Sequence, residues 1–350
     1  MTTRNRIEGL DLIRIIAIFG VILHHCFSYI FPINDMEYFA NLSIISRAFY
    51  FGCYSTAAMS VPLFFFISGY LLLPRNFDSS KTIKFYRRNL LPLLLTWEVW
   101  IPIYNFLNSW YYNTAFHGSL LLRNMFFVEP VHVIHSWYMP AILGIYIFIP
   151  YLARVLSTMS NREIFIPITI AYFYYLVLPT LNHLKQTQWG ACLDLHFSGG
   201  LYGLYVILGY LMYRYEAQLK NLFNFNLTAI ILIIFNVLLQ MLFYSLSGKA
   251  FNLGFYICTF PLAAAATFMA LKDIKLSRFK NLILNISNCT FGMYLSHMLF
   301  IFIFTKYELL DFISSKALRI IILAAVVYIL SFILVTLLKK LPYVGKILTR

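Results

Sequence analysis

The sequence predicts an all-α, polytopic integral membrane helical bundle of about ten transmembrane helices, with both termini in the cytoplasm. Three observations carry this. Of 350 residues, 61% are hydrophobic and only 11% are charged, against about 25% charged in a soluble domain. The apolar residues run in long stretches of the ~20-residue length that crosses a ~30 Å hydrocarbon core as a helix. A membrane β-barrel would instead show short alternating segments.

Ten spans are read, near 9–31, 55–74, 90–107, 137–156, 164–181, 199–214, 226–246, 252–271, 287–304 and 316–338. The first carries Asp11 and Arg14 near its start and has no small-residue cleavage site, so it reads as a retained helix rather than a signal peptide. The second holds the aromatic run around Phe64, Phe65 and Phe66. The third follows a basic connection over 75–89 that ends Lys84-Phe85-Tyr86-Arg87-Arg88. The fourth opens on Trp137 and Tyr138, residues suited to a membrane interface. The fifth, seventh, eighth and tenth are plain apolar runs. The sixth is short, and the ninth begins with the polar Ser287 and Asn288. No soluble domain, long linker or internal repeat is read, so residues 1–350 form a single transmembrane domain. With ten spans, 20 Lys and Arg fall on the side of the termini and 7 on the other. The positive-inside rule then places both termini in the cytoplasm.

The net charge of +14 therefore forms a cytoplasmic rim that attracts anionic membrane lipid. Nucleic acid is not expected as a partner, because there is no soluble basic domain. Cys26, Cys258 and Cys289 fall in spans and read as apolar filler. Cys53 and Cys192 fall in outer segments, and the sequence leaves their pairing open. No metal-ligand spacing occurs. Outer loops near 32–54, 108–136 and 182–198 are rich in aromatics and hold His117, His132, His135 and His183, with His196 nearby. They read either as a lid or acceptor surface, or as interfacial packing.

Ionisable groups inside a span are costly and usually face a protein interior or a wet cavity. Arg14 and His25 are eleven residues apart on the first span. Eleven residues turn a helix about 20° beyond three full turns and rise ~16 Å, so both share one face. His24 points about 100° away. His25 near mid-depth can serve as a general base. Arg14 suits a phosphate or carboxylate, and Asp11, three residues earlier, can orient it or simply pair with it. Lys84, Arg87 and Arg88 lie within two helical turns, so at least two can face one anion. Glu98, ten residues beyond Arg88, reaches a depth similar to His25. It reads as the carboxylate that orients His25, or as one half of a structural ion pair with an arginine. His297 also lies near mid-depth, either lining a cavity or bonded through Ser296 to a neighbouring helix. His135 with Trp137 reads by default as an interface anchor.

Taken together, these segments resemble the membrane-bound acyltransferase family 3, the bacterial O-acyltransferases, from about residue 6 to 338. Four stretches carry the resemblance: Leu10-Asp11-Leu12-Ile13-Arg14 with His25; the Val61 to Tyr70 stretch with Ser68-Gly69; the basic approach to the third span; and His135-Ser136-Trp137-Tyr138 combined with Gly292-Met293-Tyr294-Leu295-Ser296-His297. The resemblance implies an O-acyltransferase of the bacterial inner membrane, with acyl-coenzyme A, usually acetyl-coenzyme A, as co-substrate and no bound cofactor. The acyl group is then expected on a hydroxyl of a cell-envelope glycan or lipid-linked sugar. Arg14 and His25 match the family's arginine and histidine. The family's two arginines at the third span are separated by one or two residues, whereas Arg87 and Arg88 are adjacent, which leaves the phosphate ligand open among Lys84, Arg87 and Arg88. Ser68, His135, Trp137, Tyr294 and His297 are expected to support the site. Because the chain stops at Arg350, it is expected to act alone or to pass the acyl group to an envelope-biosynthesis partner. The rival reading is a transporter or flippase of a polysaccharide or lipid-linked substrate, since charges at mid-depth fit that class too. Paired Gly- or Pro-broken helices in two related halves, which transporters often show, are not evident.

Overall fold

The computed structural model describes residues 6–31, 36–190, 193–195, 199–248, 256–276, 279–342 and 344–349. Arg4, Cys192, His196, Lys249, Arg278 and Arg350 lie outside them, and with Cys192 the question of its pairing with Cys53. The described chain is helical, in the order α1 (Glu8–Ile30), α2 (Met36–Ala40), α3 (Ile44–Ala58), α4 (Ser60–Leu72), α5 (Ser79–Phe85), α6 (Leu91–Tyr112), α7 (Gly118–Met125) and α8 (Tyr138–Thr158). There follow α9 (Asn161–Tyr172), α10 (Leu178–Lys185), α11 (Gly200–Arg214), α12 (Glu216–Leu222), α13 (Phe225–Ser247), α14 (Thr259–Leu271), α15 (Lys280–Lys306), α16 (Lys316–Leu338) and α17 (Val344–Thr349). Single π-turns at Tyr86–Leu90 and Phe173–Val177 join α5 to α6 and α9 to α10.

Among the described residues, 8 helices are long and apolar enough to cross a membrane. They match eight of the ten expected spans. The sixth and eighth coincide with α11 and α14, which have 15 and 13 residues, short of the ~20 that a full crossing takes. Two spans are longer than expected. The second begins at Ile44, inside what reads as an outer loop, because α3 continues through Met59 into α4 over 29 residues. The third begins at Ser79 and runs 34 residues. The stretch read as a basic connection is therefore helical. Asp78 caps it by accepting from the Lys81 amide at 2.7 Å. Arg154 holds its start by donating to the Phe77 carbonyl and the Thr82 hydroxyl.

The chain divides into two compact units, Met1–Arg75 with Val155–Ser287, and Asn76–Arg154 with Asn288–Arg350. In the first, α1 packs on α3 and α4, α4 on α11, and α13 on α3 and α14. The α4–α11 crossing is close: a Cβ on Gly69 would collide with the Val206 carbonyl. Small residues at such a point let two backbones approach. Phe65 stacks on Tyr202 and Phe66 meets the edge of Tyr205 along the same pair of helices. This gives the aromatic Ser-Gly stretch a packing role. Gly9 similarly seats the start of α1 on the Lys272 carbonyl.

In the second unit, α6 is the central element. Its Trp97 and Tyr104 are fully buried. Trp100 Nε1 donates to the Leu348 carbonyl on α17, and the Tyr104 hydroxyl to the Leu295 carbonyl on α15. Pro102 inside α6 lacks the N–H that would bond the Glu98 carbonyl, so the ladder is interrupted at the turn that carries Glu98.

Candidate functional site

The first unit places Asp11, Arg14 and His25 on one uninterrupted helix, α1. Asp11, Ile18, Ile22 and His25 are all buried, a spacing of one helical face. Asp11 is completely buried and accepts four hydrogen bonds: Arg6 Nε at 2.7 Å, Arg6 Nη2 at 2.8 Å, Arg14 Nη1 at 2.9 Å and Ser287 Oγ at 2.6 Å. The two Arg6 bonds form the fork that carboxylates and guanidinium groups share. Donating to Asp11 raises the Arg6 pKa further, against a smaller opposing effect of burial. Glu8, one turn away, accepts from the Leu276 amide at 2.7 Å and pairs with Lys280. The start of α1 is thus tied to the 276–287 segment. Arg14 keeps 28% of its side chain exposed. The result is a positioned guanidinium beside a buried carboxylate that also serves a second arginine.

Eleven residues along, His25 is 7% exposed. His24 and His25 set their ring planes at 80°, with His24 turned toward Tyr54, as the 100° helical step requires. Ser68, expected to support the site, donates to the Phe64 carbonyl one turn earlier at 3.2 Å.

Near Lys272 sits a second polar group that the sequence does not single out. Glu216 accepts from the Tyr70 hydroxyl, Lys220 and Lys272, and Asp273 accepts from both lysines. Lys272 is 2% exposed. Burial acts to raise the Glu216 pKa, but the hydrogen bonds from Lys220, Lys272 and Tyr70 outweigh it and lower the value to about 2.

The second unit holds the remaining candidates. Lys84, Arg87 and Arg88 are exposed on neighbouring turns of α5 and the π-turn after it, with Phe85 buried between them. Glu98 is half-buried, and no ion pair holds it among the described residues. His135, Tyr294 and His297 come together. Tyr294 donates to the His135 carbonyl at 2.7 Å, and the rings of His135 and His297 lie 4.9 Å apart. His135 is buried inside the protein, which corrects the interface-anchor reading, while Trp137 is half-buried beside Tyr138. Burial first, and then His297, hold the His135 imidazole well below its usual pKa. The expected Ser296–His297 link to a neighbouring helix is absent: His297 Nδ1 lies 2.6 Å from the Tyr294 carbonyl, so it carries the proton, and the buried Ser296 hydroxyl has no hydrogen-bond partner among the described residues.

Sequence reasoning missed Tyr104, the hub of this group. Its hydroxyl is committed as a donor to the Leu295 carbonyl at 2.6 Å, so His135 Nε2, at 2.8 Å, must donate to it. A tyrosine one turn and a half beyond Glu98 was the available signal, lost among 26 tyrosines. Arg6 and Ser287 were missed as well, since neither lies on the face that Arg14 and His25 define. Arg14 and His25 belong to the first unit, and Lys84, Arg87, Arg88, Glu98, His135, Trp137, Tyr294 and His297 to the second. Among the described residues, no three His, Cys, Asp or Glu side chains converge to hold a metal ion.

The family model described as an acyltransferase domain, that of acyltransferase family 3, matches residues 7–340. Neither a curated protein nor a solved structure matches the chain.

Proposed function

This chain belongs to acyltransferase family 3, and from that premise we propose that it transfers an acetyl group from acetyl-coenzyme A to a hydroxyl of a cell-envelope glycan or lipid-linked sugar, in a bacterial inner membrane. One observation supports the reading most: α1 carries a guanidinium anchored on a buried carboxylate and, on the same face, a buried histidine ~16 Å along. Arg14 is the ligand for a donor phosphate. The coenzyme's pantetheine arm is long enough to bring a thioester to the depth of His25. Lys84, Arg87 and Arg88, exposed in the second unit, are further candidate ligands for a phosphate.

His25 takes the proton of the acceptor hydroxyl as its oxygen attacks the thioester carbonyl. The new C–O bond forms, the C–S bond breaks, and the coenzyme A thiolate leaves and receives the proton from the imidazolium. A positioned base of this kind contributes about 10²–10⁴-fold. Purified protein in nanodiscs, given radiolabelled acetyl-coenzyme A and envelope glycans, should lose thioester and gain alkali-labile sugar ester. His25→Ala should lower turnover at least 100-fold with coenzyme A affinity retained. More than a tenth of wild-type turnover in that variant would overturn the role of His25, and no ester from the wild type would overturn the reaction.

A further inference from the structure

Asp11 is a junction as well as an anchor. Its Oδ1 accepts from Arg6 Nη2 at 2.8 Å, Arg14 Nη1 at 2.9 Å and Ser287 Oγ at 2.6 Å, while Oδ2 takes Arg6 Nε at 2.7 Å. Arg6 therefore grips the carboxylate by both oxygens, and Arg14 reaches it through one. A fork held at two points fixes its own orientation. A single bond instead passes on the position of its acceptor, so the seat of Arg14 follows Oδ1.

Ser287 holds that oxygen from outside α1. It is buried near the start of α15, 276 residues away in sequence and within the same compact unit. An ionised carboxylate can only accept, so the hydroxyl donates. The segment before Ser287 meets α1 as well. Leu276 donates its amide to Glu8, Lys280 pairs with the same carboxylate, and the Leu271 and Lys272 carbonyls lie where a Cβ on Gly9 would collide. Those contacts set the position of α1 at Glu8 and Gly9. The one from Ser287 reaches the carboxylate that carries Arg14.

We propose that Ser287 is a positioning residue for the anion site: its hydroxyl pins Asp11 Oδ1 and thereby holds the Arg14 guanidinium where a donor phosphate meets it. The proposal rests on the reading of Arg14 as phosphate ligand and adds to it a residue of α15. Ser287 takes no part in bond making. It preorganises Arg14, which then gives up less freedom when the anion binds.

Calorimetry of coenzyme A binding to the nanodisc protein tests this as a double-mutant cycle. Ser287→Ala should weaken coenzyme A about fivefold, the worth of one ordinary hydrogen bond. Ser287→Thr keeps the hydroxyl and should bind within about twofold of the wild type. In an Arg14→Ala background, Ser287→Ala should have no further effect, because the group it positions is gone. In turnover, Ser287→Ala should raise the KM for acetyl-coenzyme A by the same factor with kcat unchanged, the mark of lost binding shared by ground and transition states. A merely structural serine would lower kcat with the amount of folded enzyme, and its loss would add to that of Arg14→Ala. Ser287→Cys, close to serine in size and a weak donor, replaces the alanine variant if that one does not fold. The proposal falls if Ser287→Ala binds coenzyme A as the wild type does, if the two losses add, or if threonine binds no better than alanine. The two readings fail separately. Weakening in Arg14→Ala but not in Ser287→Ala overturns the positioning alone. Unchanged affinity in Arg14→Ala removes Arg14 from the donor site.

Discussion

Asp11 holds Arg14 at 2.9 Å while completely buried, and it holds Arg6 at the same time. One carboxylate thereby positions two guanidinium groups, and the side chain of Arg14 is still 28% exposed. An arginine fixed in this way loses little further freedom when an anion arrives.

Asp11→Asn removes the charge but nearly preserves the shape. The amide cannot accept the Arg6 fork, and its NH2 group faces donors. The protein should lose about 1.5–3 kcal/mol of stability, the range for hydrogen bonds to charged groups. The KM for acetyl-coenzyme A should rise about tenfold, since 1.4 kcal/mol of lost binding is a factor of ten. Arg14→Lys should raise the same KM while leaving stability near that of the wild type, because lysine keeps the charge and loses the fork. Steady-state kinetics and thermal unfolding separate the two effects, and an unchanged donor KM in both variants would remove Arg14 from the donor site.

Much of this was legible in the sequence. The period of α1 carried the shared face of Arg14 and His25, and the three-residue spacing carried Asp11–Arg14. What could not be read is contact across distant segments. Ser287 reaches Asp11 over 276 residues, and Tyr104 reaches Leu295 over 191. Helix length was misjudged where polar residues lie inside a helix. Residues 75–89 read as a basic connection into the third span, yet an Asp78 cap and a π-turn make the helix continuous from Ser79 onward. The sixth span reads as short and α11 has 15 residues, while the eighth, read over 252–271, is a described helix only from Thr259 to Leu271. His135 next to Trp137 reads as an interface pair, since sequence does not reveal that the histidine turns inward to Tyr104.

Lys84, Arg87 and Arg88 test the second basic group independently of α1. All three are exposed, and alanine at Lys84 or Arg87 should change stability by no more than about 0.5 kcal/mol. Coenzyme A affinity should nonetheless fall, most for the side chain that meets a phosphate, and the fall should diminish at high salt as exposed charges are screened. Calorimetry at two ionic strengths reads this. Equal affinity in all three variants would leave the group with a purely topological role.

Glu98 presents the opposite case, a half-buried carboxylate with no ion pair among the described residues. Glu98→Gln removes a charge that no described ion pair neutralises, so the variant should be at least as stable as the wild type. If the carboxylate serves the reaction, turnover should drop at least tenfold and the acidic limb of the pH–rate profile should move. A structural role would instead lower the melting temperature and leave the profile in place.

Glu216 ties stability to pH. Its folded value of about 2 lies below the ~4.3 of an unfolded glutamate. The folded state therefore favours the ionised form. The stabilisation is fully present above ~4.3 and is lost as pH falls through about 2. Glu216→Gln breaks ionic bonds to Lys220 and to the buried Lys272, for which Asp273 remains as the second partner. The variant should be about 1–2 kcal/mol less stable at pH 7, a modest figure because the side chain is 27% exposed. The gap should hold at pH 5 and shrink by roughly half at pH 3. Thermal unfolding of both proteins in nanodiscs at those three values measures it. A gap that stays constant down to pH 3 would mean that the Glu216 charge does not hold this end of the first unit together.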